Sequence, residues 1–514
     1  MRAFLALIFL TFVMNVESSR PLLAFTPSHG WMNDPNGQFY DSKNELWHLY
    51  YQYNPNDTVW GTPLYWGHAT SKDLSTWKDY GATIGPDRDE DGIFSGNIVV
   101  DHNNTSGFFN DSIDPRQRVV AIYTYNTEGS QTQHVAYSLD GGYTFEKYEH
   151  NPVLDVDNIN FRDPKVFWHE PTNQWIMVIA LSQQFKIQIY GSIDLTNWSL
   201  HSNFTGGLFG FQYECPGLIE VPVEGSDELK WVMFIAINPG LPLGGSSNQY
   251  FIGSFDGFEF VPDDSQARLM DYGKDFYAFQ TFDNAPKKLG VVGLAWASNW
   301  QYANLAPTKE WRSSMTSARQ MTLASRNMNP ETKVLSLLQK PIFGESVVAA
   351  NKISKRNITG QDEQAVKIHK NSTGTFLFDI TFSVDLLKNQ TGQLQVISGQ
   401  NGESIRAGFD PTAGQFFVDR GNTSGLKENP FFTDKTSAYV EPWKHQNDLP
   451  VYKMFGVIDG NLIEVFLNDG IATLTNTFFI PGTEGLEYLE IESSSDAIHI
   501  VELEVKELKL RATS

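Results

Sequence analysis

Between residues 21 and 320 the chain alternates short apolar runs of strand character with turn-forming chemistry such as Asp34-Pro35-Asn36-Gly37 and Asp140-Gly141-Gly142. No stretch of it carries the 3.6-residue period of an amphipathic helix. The apolar runs at 49–53, 119–123, 175–179, 231–235 and 291–295 each follow a segment bearing one polar or acidic residue: Asp34, Ser95, Asp163, Glu214 and Asp275 in turn. These five stand 61, 68, 51 and 61 residues apart. A Ser-x-Asp step followed by an aromatic closes four of the units, beginning at Ser71, Ser138, Ser192 and Ser254. Self-similarity with this period predicts radially repeated four-stranded sheets, a five-bladed β-propeller whose first strands line one channel. Four carboxylates scattered along the chain would then face a common funnel.

The pattern changes farther on. Residues 324–359 are richer in Lys, Leu and Gln, lack the repeat, and read as a linker. Beyond 360, strand-like runs at 375–384, 393–398, 416–419, 454–457, 462–467, 478–480, 489–491 and 498–508 predict an antiparallel β-sandwich, with hairpin signals at Asp459-Gly460 and Asp469-Gly470. A chain of 514 residues exceeds what one hydrophobic core supports. The division expected is a leader at 1–18, an all-β propeller at 19–323 carrying the chemistry, the linker at 324–359 and the sandwich at 360–514. The sandwich shows no catalytic cluster and reads as a stabilising or oligomerising module, with carbohydrate binding as the other reading.

Composition narrows the partners. A net charge of −22 with no basic stripe argues against nucleic acid and weakens attraction to anionic membranes. Arg2, the apolar run 3–13 and the small residues up to Ser18 have the form of a secretory leader, too short for a membrane span. Asn-x-Ser/Thr sequons follow at Asn56, Asn103, Asn104, Asn110, Asn197, Asn203, Asn357, Asn371, Asn389 and Asn422, as in a glycosylated protein of the extracellular or cell-wall space. The single cysteine, Cys215, excludes an intramolecular disulfide and paired-cysteine zinc or redox sites. His29, His68 and His134 lack metal-ligand spacing, so neither metal nor organic cofactor is called for. Without a disulfide, association of subunits through the sandwich is expected.

Asp34 lies in Trp31-Met32-Asn33-Asp34-Pro35-Asn36-Gly37. Alone this is a tight-turn sequence. Trp31 adds a flat apolar face and Asn33 an amide donor, which together are what a sugar requires. Glu214 stands among Phe209, Phe211, Tyr213 and Cys215, a setting that should raise its pKa and keep it protonated unless an arginine pairs with it. Asp163 follows Arg162 and could form a local ion pair or accept two sugar hydroxyls; Asp275 occupies the same place in its own unit. One ionised and one protonated carboxyl are the minimum for cleaving a glycosidic bond. Trp31, Trp60, Phe94, Trp296 and Trp300 supply aromatic faces in the same segments, and Cys215 reads as a small packing residue.

With Trp31–Gly37, the further motifs are Tyr-Gln-Tyr-Asn-Pro at 51–55, Phe-Ser-Gly at 94–96, Phe-Arg-Asp-Pro at 161–164, Glu-Cys-Pro-Gly at 214–217 and Trp-Ala-Ser-Asn-Trp at 296–300. In these the chain resembles glycoside hydrolase family 32, and within it the secreted yeast invertases (β-fructofuranosidases). The resemblance spans nearly the whole chain after the leader. It implies a five-bladed propeller followed by a β-sandwich, with Asp34 as nucleophile, Glu214 as acid/base and Asp163 as stabiliser of the transition state. It implies Trp31, Asn33, Gln52, Trp60, Phe94, Ser95, Arg162 and Trp300 as pocket residues; Met32 and Asp275 join the expected substrate-binding set. Asn97 stands where the family pattern has Ser. The activity implied is retaining release of terminal β-D-fructofuranosyl units, sucrose to glucose and fructose first. Exo-inulinase, levanase or fructosyl-transfer activity is the alternative, and a non-catalytic sugar-binding lectin a further one.

Overall fold

The computed structural model describes residues 18–240, 244–329, 331–358 and 366–511. The expected leader therefore lies, Ser18 apart, outside the described residues. The architecture is all-β, and the repeat in the sequence reappears as five sheets in chain order. Their first strands are Gly30–Asp41, Gly92–Val100, Phe161–His169, Tyr213–Pro222 and Tyr277–Thr281. Each sheet continues outward as an antiparallel meander, and Trp311–Arg312 adds a short parallel strand beside Gly30–Asp41.

The first strands touch in a closed cycle, each against the next and Tyr277–Thr281 back against Gly30–Asp41. Each neighbouring pair of sheets encloses its own apolar core. Phe39 and Trp66 of the first sheet meet Ile98 and Tyr123 of the second; Val120 and Ile122 of the second meet Trp175 and Ile179 of the third. Ile176 and Val178 of the third face Met233 and Ile235 of the fourth, and Phe234 of the fourth packs on Phe279 of the fifth. Phe282 and Leu294 close the round against Met32 and Trp47 of the first sheet. The middle strands alternate which neighbour they serve because successive strand side chains point to opposite faces.

The segment expected as a linker is largely strand. Arg319–Asn329 and Thr332–Pro341 are the two outer strands of the fifth sheet, pairing along their whole length, and Val347–Ile358 pairs with Ile498–Leu510 in the sandwich. The actual connector is residues 342–346. Its Lys- and Gln-rich flanks reflect outer strands with solvent on one side, where apolar alternation is weak.

The sandwich joins a sheet ordered Val347–Ile358, Ile498–Leu510, Thr375–Val384, Leu449–Asp459, Leu462–Leu467 and Ala472–Thr477 to a second one running from Val366–His369 to Lys435–Ala438. Phe376, Phe378, Ile380 and Phe382 of the first sheet share a core with Val396, Ile405 and Ala407 of the second. The strand expected at 478–480 is instead Ala472–Thr477, the edge that faces the N-terminal sheets. There Tyr272 N donates to Thr473 O at 2.8 Å and Asp275 N to Thr475 O at 3.0 Å. Arg319, wholly buried, reaches Asp271 at 3.2 Å and Glu464 at 2.7 Å, with Thr475 Oγ1 accepting at 2.7 Å.

His48 Nδ1 and His68 Nε2 lie 3.0 Å apart between the first and second sheets, stacked with Phe39, Tyr50 and Tyr80. Burial pulls His48 from 6.5 down to about 4, against the opposing charge of Asp41. His68 is pulled well below its ordinary value by burial and then by His48, with Asp140 opposing. Both pKa values are depressed by folding, so the unfolded chain takes up protons first. The contribution is intact above the unfolded value of 6.5 and is lost as pH falls towards 4. For His48 alone this amounts to about 3 kcal/mol. Urea midpoints of the wild type, compared with a His48→Phe/His68→Phe variant, should therefore drop relative to the variant between about pH 6.5 and pH 4.

Candidate active site

Every first strand is interrupted by a bulge, two residues opposing one on the second strand. The doubled residues are Asn33-Asp34 against Gln52, Phe94-Ser95 against Thr124, Asp163-Pro164 against Ile179, Cys215-Pro216 against Ile235 and Ala278-Phe279 against Ala295. A bulge suspends ladder pairing and re-aims the side chains it carries. Proline fits there because its missing N–H has no ladder partner to lose. Asp163, Cys215 and Ala278 take positive φ of 66°, 44° and 52°. Such strain costs on the order of 1–3 kcal/mol per residue and persists where the surrounding sheets over-determine the backbone.

The bulges of the first four sheets bring together a cleft of about 230 Å³. Its lining includes Asn33, Asp34, Gln52, Trp60, Phe94, Ser95, Arg162, Asp163, Glu214 and Trp300, all singled out from sequence. Asp34 Oδ2 accepts from Ser95 Oγ at 2.7 Å and Oδ1 from Asn33 Nδ2 at 3.1 Å. Burial, and then the charge of Glu214, raises the pKa of Asp34, while its donors Ser95, Asn33 and Cys215 oppose the rise. Asp163 Oδ2 accepts from the Cys215 backbone N–H at 3.0 Å, and Asp163 N donates to Thr124 Oγ1 at 3.1 Å. Burial pushes Asp163 up to about 7; Arg162 opposes that shift, and Glu214 and Asp34 add to it.

Glu214 is held by Arg162, whose Nε and Nη2 donate to Oε1 at 3.1 and 3.0 Å, and by the Tyr277 hydroxyl, which donates to Oε2. Arg162 in turn donates from Nη1 to Gln131 Oε1 at 3.2 Å. The Cys215 thiol sits 3.4 Å from Asp34 Oδ2 and 3.6 Å from Asp163 Oδ2, bridging the two aspartates. Burial pushes that thiol far up, so it stays protonated.

Several expectations need correction. Asp275 does not line the cleft. It is fully buried at the junction with the sandwich, where Arg420 Nη1 donates to it at 2.9 Å, Thr477 N at 2.8 Å and the Tyr302 hydroxyl at 2.5 Å. Met32 packs in the core between the first and fifth sheets and has no face in the cleft. Trp31 is wholly buried under Trp296 and Trp300, and its Nε1 donates to Asn33 Oδ1 at 2.8 Å; it orients Asn33 and offers no stacking face. Trp296 is likewise buried. The apolar cage expected around Glu214 is absent: Phe209 and Phe211 are 62% and 58% exposed, and an arginine pairs with the carboxyl. Cys215 contacts two aspartates and so does more than fill space.

Sequence reasoning missed Leu64, Gln212 and Asn238, which also line the cleft, and Tyr277 and Thr124 behind it. Only the repeat register could have pointed to Tyr277; the others lie on loops or second strands without a distinguishing pattern. Asn97 is turned to structure. Its Oδ1 accepts from Val166 N at 2.8 Å, tying the second sheet to the third.

Two family models cover the chain: the glycosyl hydrolases family 32 N-terminal domain at 24–341 and the family 32 C-terminal domain at 345–507. A protein of Meyerozyma guilliermondii named extracellular exo-inulinase is 98% identical over 514 residues, 100% of both chains. An invertase of Debaryomyces hansenii is 54% identical, covering 93% of this chain and 91% of its own. Among solved structures, a β-fructofuranosidase from Schwanniomyces occidentalis complexed with fructosyl-erythritol superposes with a TM-score of 0.92 at 54% identity, over 96% of this chain and 98% of that one. These matches run through both parts of the molecule and through every element that builds the cleft. The chain belongs to glycosyl hydrolases family 32.

Proposed function

We propose that the protein is an exo-acting, retaining β-fructofuranosidase that removes terminal fructosyl units from sucrose and from inulin-type fructans. The observation carrying this reading is that Asp34, Asp163 and Glu214 meet in one small cleft. At about 230 Å³ it falls below the volumes that accept drug-sized ligands, which suits one terminal sugar and not the interior of a chain. The names of the relatives favour both substrates, exo-inulinase at 98% identity and invertase at 54%.

In this mechanism Asp34 attacks the anomeric C2 while Glu214 protonates the departing oxygen. The C2–O bond breaks as a fructosyl ester forms on Asp34. Glu214, now ionised, takes a proton from water, whose oxygen displaces Asp34 and releases fructose with its configuration retained. Neutral donors on Asp34 favour the anion needed for attack. Asp163, raised to about 7, exchanges hydrogen bonds with fructosyl hydroxyls, donating when protonated and accepting when ionised. Trp60, 40% exposed, with Phe94 and Trp300 supplies aromatic surface at the rim.

The closed cycle of first strands and the five separate cores support reading the N-terminal sheets as the blades of a five-bladed propeller. Export and glycosylation belong to the same proposal. The sequon asparagines are exposed except Asn104, whose amide is tied to the Phe109 backbone on both sides. Asn104 is accordingly the poorest acceptor of the set.

Replacing Glu214 by Gln should lower kcat on sucrose on the order of 10²–10⁴-fold, read from released glucose; near-normal turnover would sink the assignment. NMR in the first minutes should show the β anomer of fructose ahead of equilibrium. The acid limb of kcat/KM should stand above the ordinary aspartate value, because Asp34 must be ionised and its pKa is raised. Ser95→Ala deletes a donor that lowers that pKa, so the limb should move to still higher pH. With inulin, fructose should be the sole early product by chromatography; early oligosaccharides would contradict terminal attack.

A further inference from the structure

The fifth sheet places one residue at the site for which the proposed mechanism has no part. Tyr277 is the last residue paired to the second strand before the bulge at Ala278-Phe279. Arg162 and Glu214 hold that same register position in the third and fourth sheets. Its ring is buried edge-on against Trp296 at 6.3 Å. Its hydroxyl donates to Glu214 Oε2, the oxygen that Arg162 leaves free. Burial, and then the charge of Glu214, pushes this hydroxyl far up, so it keeps its own proton.

What leads into Tyr277 is clamped to the sandwich. Tyr272 and Asp275 donate backbone N–H groups to Thr473 and Thr475, and Lys274 N donates to Asn476 Oδ1 at 3.1 Å. Asp275 is locked to Arg420 two residues before Tyr277. The hydroxyl thus approaches Glu214 from a backbone fixed on both sides, by the sandwich before it and the fifth sheet after it. Arg162, Asp163, Asp34, Cys215 and Tyr277 are the ionisable groups that face Glu214 or act on it, and of these Arg162 and Tyr277 donate to it.

Resting on the assignment of Glu214 as acid/base, we propose that Tyr277 is a positioning residue of the reaction, its hydroxyl fixing the Glu214 carboxyl in the plane from which it protonates the leaving oxygen. The transferred proton is that of Glu214; Tyr277 gives up none.

The test uses the full chain with Tyr277→Phe, which keeps the ring and deletes the donor, on two substrates. Sucrose has a poor leaving group and needs the acid. A fructoside of an acidic phenol departs with little protonation. The variant should lose about tenfold or more in kcat on sucrose, part of the roughly 10²–10⁴ that full loss of the acid removes, with KM within about twofold. The phenyl fructoside should be turned over at near the wild-type rate. 3-Fluorotyrosine at 277, a stronger donor of the same shape, should change turnover of sucrose and leave that of the phenyl fructoside near the wild-type rate. The fluorotyrosine arm decides the matter if the phenylalanine variant does not fold. Equal losses on both substrates, or no loss on either, would overturn the proposal. Retained sucrose turnover in Glu214→Gln would overturn the parent assignment instead, which separates the two failures.

Discussion

One guanidinium stands among three carboxylates in a floor nearly closed to water. Arg162 pairs with Glu214 and only partly offsets the neighbouring Asp163, while Asp34 is held by neutral donors alone. Charges a few ångströms apart interact far more strongly in such a setting than in solvent. The cleft relieves the surplus by retaining protons and by surrounding its acids with neutral donors: Asn33, Ser95, the Cys215 amide and the Tyr277 hydroxyl. A second cation would hold every acid ionised together. Unequal carboxyls are what double displacement needs, one to attack and one to give a proton.

The acids of this site legible in the sequence sit on a bulge or immediately before one, while Gln52, Trp60 and Trp300 came from the motifs and aromatics around them. Asp34, Ser95, Asp163 and Glu214 recur with the sheets, and the repeat brought them out in their true neighbourhood, with Arg162 following as the residue before Asp163. Asp275 failed because the period counts residues whereas the site counts ladder pairs. The fifth strand begins at Tyr277, so equal spacing fell on the chain before it, where the sandwich claims the carboxylate. Trp31 and Met32 failed for a related reason. Their motif reads as a turn, and only the strand with its bulge decides which side chains turn inward. Phe209 and Phe211 are near Glu214 in sequence and leave it in space, while Arg162, 52 residues away, supplies its actual environment.

The all-β class and the two-part organisation were also legible, apart from the limits of the connector. Outer strands such as Thr332–Pro341 carry little alternation, since one side of them meets water. The junction itself could not be read, because it depends on residues distant in the chain meeting with full burial. Arg319 collects Asp271 from one part and Glu464 from the other, and its guanidinium lies between the rings of Phe276 and Phe466. Buried ion pairs of this kind add less to net stability than apolar packing of equal size would, yet removing one partner costs roughly 3–5 kcal/mol. Such a junction therefore admits one relative orientation of the two parts and resists any other.

The doubled residues on the innermost strands have an evolutionary corollary. Because those positions lie outside the regular ladder, the side chains among them that line the cleft, such as Asp34, Ser95 and Asp163, can change without breaking a ladder pair. The scaffold behaves as a turret of sockets: the inserts determine which bond is broken, while the frame bears the load. Divergence in chemistry can then proceed by swapping those inserts one at a time, while doubled residues such as Phe279, packed on Phe234, stay with the frame.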